Sequence, residues 1–142
     1  MNKNLQTILK YKNDDILKRY EMDYPSNQLS GEEALRELIK FLWLTQKHEE
    51  DQAALPIDQQ LDFICGIPEE IDDMWHTFIL FTKDYMDFCA ENFGKFLHHA
   101  PTAATERMLI NKSETDFSKY LSYVRKNLDE ETCSLWFKGL CA

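Results

Sequence analysis

Three features of the sequence predict an all-α fold, a compact single-domain bundle of about four to six helices. Apolar residues recur at three- and four-residue spacing along most of the chain. Helix-start patterns stand directly ahead of several of these stripes. The chain has only four Gly and four Pro, too few turn residues to punctuate an all-β sandwich every ten or so positions. At 142 residues the chain suits one domain, and residues 1–142 are expected to form it. A 44% hydrophobic content with nine Phe, six Tyr and three Trp supplies more apolar area than a disordered chain has.

The first stripe places Leu5, Ile8, Leu9, Ile16, Leu17 and Tyr20 on one side of a helix, with the polar residues Asn13 to Asp15 as the place for an interruption and Tyr24-Pro25 as its end. In Ser30-Gly-Glu-Glu33 the Ser and Glu side chains can each satisfy an orphan backbone amide at a helix start. The helix that follows carries Leu35, Leu38, Ile39, Leu42 and Trp43 and runs into the polar stretch Gln46 to Gln52. From Ala53 to Ile67 the periodicity is lost, with Pro56 and Gly66 as breakers, leaving room for one short helix near Asp58 to Phe63.

Pro68 opens a third helix, because its missing amide would have been unpaired at that position. Glu69, Glu70, Asp72 and Asp73 crowd the first turns, where negative charge favours the positive end of the helix dipole. That helix is expected to run to Ala90 or Asn92, with Gly94 closing it in a left-handed conformation. After an apolar connection, Ser113-Glu-Thr-Asp116 caps the last long helix, whose stripe is Phe117, Tyr120, Leu121, Val124 and Leu128. A short element around Leu135-Trp136-Phe137 follows.

A net charge of −9 argues against binding nucleic acid or an anionic membrane surface, since such affinity comes largely from Lys and Arg. The longest apolar stretch, around Phe78 to Phe81, is far below the roughly 20 residues that span a bilayer. Cys65, Cys89, Cys133 and Cys141 form no C-x-x-C pair, and the segment MNKNLQTILKYKNDD has no apolar signal core. Reduced thiols in the cytoplasm are the expectation.

On a helical wheel Ile71, Trp75, Phe78, Thr82, Tyr85, Phe88 and Cys89 share one sector, the core face of the third helix. His76 sits on its shoulder, one turn after Asp72. At i, i+4 these two side chains meet, so the carboxylate can hold the imidazole or both can bind one metal ion. Equally, Asp72 can serve the dipole beside a half-buried histidine. His98-His99 places two imidazoles in an apolar connection, and imidazole with carboxylate suits zinc or another divalent transition ion.

Adjacent residues of an extended chain point opposite ways, so one of His98 and His99 at most faces His76. Convergence further requires the chain to reverse soon after Ala90. His76 and Cys89 are separated by about 20 Å along an unbroken helix, which excludes a mixed Cys/His site. On the core face, Cys89 reads first as a small buried hydrophobe rather than a nucleophile.

The stretch Asp72-Asp-Met-Trp-His-Thr-Phe-Ile-Leu-Phe-Thr-Lys-Asp-Tyr85, with Phe88-Cys89, Phe93-Gly94 and Phe96-Leu97-His98-His99-Ala-Pro101, resembles the glycine-rich domain-containing protein-like family, which combines a D-x-x-W-H helix with a downstream F-C, F-G and L-H-H-x-P. The resemblance covers about a fifth of the chain. It implies a small helical domain and singles out Asp72, Trp75, His76, Tyr85, Cys89, Gly94, His98, His99 and Pro101. It implies no established activity, and the glycine-rich tail of some members is missing here.

Two functions compete. One is a small acidic protein-binding or regulatory module acting through protein–protein contact, with exposed aromatics marking the contact surface. It is favoured by the lack of a phosphate-binding glycine loop, G-x-S-x-G or H-E-x-x-H, which also speaks against an enzyme. The alternative is a metal-binding protein or metal-dependent enzyme with its site at Asp72, His76 and His98 or His99.

Overall fold

The helix starts are local chemistry made visible. The computed structural model describes residues 4–64, 66–99 and 114–138. Asn4 and Asn13 cap α1 (Leu5–Ile8) and α2 (Asp14–Asp23), their side-chain oxygens accepting from the Gln6 and Ile16 amides. At α3 (Gly31–Ala53), Glu33 N donates to Ser30 Oγ (3.2 Å) and Ser30 N to Glu33 Oε1 (3.0 Å), the reciprocal pair expected from the sequence. A short 3-10 turn follows at Ile57–Gln59, inside the connection whose expected helix lay slightly later.

The remaining helices are α4 (Glu69–Leu80), α5 (Thr82–Phe93), α6 (Glu114–Asn127) and α7 (Glu130–Trp136). The fold is all-α among the described residues. Helices outnumber the four to six expected because the first segment divides at its polar middle and the third helix divides at Phe81.

That second division corrects the expectation of one unbroken helix to Ala90 or Asn92. Phe81 leaves helical geometry (φ −89°, ψ 70°), its amide bonding back to Phe78 O at 3.0 Å while its carbonyl accepts from Tyr85 N at 2.8 Å. No Gly or Pro marks the place. Thr82, assigned to the core face, is exposed, because it begins a new helix instead of continuing the old stripe. Ile71, Trp75, Phe78, Tyr85, Phe88 and Cys89 are buried as expected.

By internal contacts the described residues form two units, 4–43 with 69–99, and 44–68 with 114–138. In the first, α4 packs on α2 and α5, and Asn13 Nδ2 reaches Asp84 Oδ2 at 2.9 Å to fix the start of α2 to α5. A Cβ on Gly31 would meet Leu17 Cβ and Leu17 O at 3.1 Å, so the glycine permits the close approach of α3 to α2. In the second, α6 packs on α7, which Asp129 caps by accepting from Thr132 N. Tyr120 donates to Gly66 O at 2.7 Å, and Tyr123 to Asp51 Oδ2 at 2.7 Å. Ser113, Cys65 and Cys141 lie outside the described residues.

Gly94 ends α5 with φ 71° and ψ 7°, its amide bonding to Ala90 O. An added Cβ there would have nothing within 4 Å, so the cost of Gly94→Ala is purely that of the left-handed backbone, about 1 kcal/mol. Urea denaturation of the variant measures it. No loss of stability would contradict the cap's role.

Candidate metal centre

The acids crowded at the start of α4 divide their work. Glu70 accepts from the backbone amides of Gln28 (3.0 Å) and Leu29 (2.8 Å), and Asp73 from Asn27 Nδ2 (3.0 Å), so both tie down the α2–α3 connection. Asp72 instead faces the histidines. His99 Nε2 lies 2.6 Å from Asp72 Oδ1, and His76 Nε2 lies 3.7 Å from Asp72 Oδ2. With a carboxylate as acceptor, the close contact is a hydrogen bond when His99 carries a proton on Nε2.

His99 arrives there because the chain reverses after Gly94. Residues 95–99 are neither helix nor strand, and their path is fixed from the side. The Tyr85 hydroxyl donates to Leu97 O and accepts from Trp75 Nε1 at 2.9 Å. On an unbroken helix Trp75 and Tyr85 would be about 15 Å apart. The break at Phe81 is therefore what lets them bond.

Beyond Leu97 the two histidines part. His98 is exposed and packs edge-on against Phe96, ring centroids 4.6 Å apart. His99 turns inward between Trp75 and His76, stacked on the indole at 4.0 Å (9° between planes) and on the His76 ring at 4.7 Å (12°). Of the four expected metal-site residues, Asp72, His76 and His99 thus come together and His98 does not, in keeping with the opposite aim of neighbouring residues on an extended chain. One ligand atom from each of the three lies within 4.8 Å of the others.

Side-chain exposure is graded, from 45% for His76 through 23% for Asp72 to 10% for His99. Asp72 and His99 form the seated pair, and His76 is the side chain with room to move. No local pattern points to the stacked indole or to Tyr85 as a hub, since both depend on the helix break.

Cys89 has no part in this cluster. It is fully buried beside Tyr85, and burial pushes its thiol above the usual range although the Leu97 backbone and the Tyr85 side chain act to lower it. Burial likewise raises Tyr85 well above an ordinary phenol. A raised thiol holds little thiolate near neutral pH, so native Cys89 is expected to stay unlabelled by iodoacetamide while a free thiol reacts fully. Labelling at the free rate, read by mass spectrometry, would contradict the burial. Pro101, the last of the motif residues, lies outside the described residues.

The surface expected to mark a protein contact is sparse in aromatics. Phe96 is the one exposed aromatic side chain among the described residues, and it packs on Tyr85 and His98. Leu55, Ile57 and Leu61 are exposed aliphatics around the 3-10 turn. Among the described residues no helix is long and apolar enough to cross a membrane.

Comparison with known proteins places this chain in a family. The description UCP032817-like matches residues 6–134, nearly the whole chain and all three clustered side chains. The chain belongs to the UCP032817-like family. No curated protein and no solved structure matches it. In this UCP032817-like chain Asp72, His76 and His99 all lie inside the matched span.

Proposed function

We propose that the protein binds one divalent transition metal ion, such as zinc, through Asp72, His76 and His99. The observation that carries this reading is the approach of three donors from two separate segments to within 4.8 Å of one another. Two imidazoles and a carboxylate are the ligand types that zinc and its neighbours take, and three protein ligands leave a coordination position open.

Donors that each bond an ion at about 2.1 Å lie no more than about 4.2 Å apart. The His76 ring, stacked nearly parallel to His99 and half exposed, would have to move inward to close that gap. To ligate through Nε2, His99 would carry its ring proton on Nδ1, with any second proton released to solvent, because only an unprotonated imidazole nitrogen binds a metal ion.

The protein-contact reading has less behind it, since its expected aromatic surface comes down to Phe96. The D-x-x-W-H helix with its downstream F-C, F-G and L-H-H-x-P likens the chain to glycine-rich domain-containing proteins, and no activity follows from that likeness. A reducing cytoplasm suits the Cys89 and Cys133 thiols, neither of which is in a disulfide.

Elemental analysis of the purified protein, followed by zinc titration of the chelator-stripped protein, tests the reading. One ion per chain is expected. Protein that is purified metal-free and takes up no zinc, iron or copper rules it out.

A further inference from the structure

We infer that Tyr85 is the positioning residue of this centre, holding His99 in place without touching the ion. The inference rests on the metal reading above for its affinity test, but its geometry stands independently.

Besides Asp72 and the His76 ring, His99 has two supports. One is the Trp75 ring it stacks on, and the other is the irregular segment that carries it. Both converge on a single oxygen. The Tyr85 hydroxyl accepts from Trp75 Nε1 and donates its proton to Leu97 O, two residues before His99. A phenol has one proton and two lone pairs, so it can serve both partners at once.

Tyr85 is itself held rigidly. It is 1% exposed, and its ring is packed edge-on against Phe78 and Phe96 at 5.1 and 5.3 Å. Groups that orient a metal ligand from behind typically change affinity by about 10–100-fold when removed.

Tyr85→Phe deletes the shared oxygen and leaves both partners without it. Zinc titration of the full chain is expected to show a dissociation constant raised by about 10–100-fold, with one ion per chain retained. A core variant that keeps the hydroxyl, Phe88→Leu on the same helix, separates positioning by that oxygen from general loosening. Phe88 is buried against Tyr11, Phe78 and Phe93, and its truncation is expected to lower stability while leaving zinc affinity within about threefold of wild type.

A metal-free readout accompanies these. Nitrogen-15 NMR of the imidazoles in wild type is expected to show His99 Nε2 protonated and hydrogen-bonded, a signature lost in Tyr85→Phe and kept in Phe88→Leu. Unchanged affinity and an unchanged signature in Tyr85→Phe overturn the inference. So does an equal change in Phe88→Leu. If wild type binds no zinc, the proposed function fails, and the imidazole comparison alone decides whether Tyr85 positions His99.

Discussion

Trp75→Ala is expected to lower stability by about 3–5 kcal/mol, the range for large aromatic truncations in packed interiors. The indole is 9% exposed, lies edge-on to Phe41 at 6.1 Å, stacks on His99 and donates to Tyr85. Its removal opens a cavity beneath the very segment that brings His99 to Asp72. Stability and metal affinity should therefore fall together. Chemical denaturation followed by circular dichroism measures the first, and a loss under about 1 kcal/mol would mean that the ring is not the anchor described.

Asp72→Asn is expected to weaken zinc binding by more than about 100-fold, beyond the range for residues that only support a ligand. Asparagine is nearly isosteric but carries no charge. It cannot compensate a dication in a site whose other donors are neutral imidazoles. The fold should change little, since one acid near a helix start contributes about 0.3–1 kcal/mol through the dipole, and Glu70 and Asp73, which hold the α2–α3 connection, remain. Calorimetric titration beside a thermal melt separates the two effects. Binding within tenfold of wild type would remove Asp72 from the ligand set.

What the sequence disclosed was short-range. The Ser30–Glu33 box, the Gly94 stop and the shared face of Asp72 and His76 each depend on residues three or four apart, and each is present in the structure. The opposite aim of His98 and His99 also followed from backbone alternation. The break at Phe81 did not, because the apolar period runs across it and no Gly or Pro interrupts the helix there.

Everything depending on that break was hidden with it, including the Trp75–Tyr85 bond and the exposure of Thr82. The separation of twenty-seven positions from Asp72 to His99 hid the rest, since whether their side chains meet is decided by packing rather than by local preference. The roughly 20 Å separation expected between His76 and Cys89 holds only for an unbroken helix, and the division at Phe81 removes it. Cys89 is nonetheless not in the cluster.

X-ray absorption at the zinc edge of protein loaded with one equivalent is the most direct test of the central claim. The account predicts a shell of nitrogen and oxygen at about 2.0–2.1 Å, with the outer-ring scattering of two imidazoles, reduced to one imidazole in His76→Ala. A shell of oxygen alone, or a spectrum that His76→Ala leaves unchanged, would contradict it.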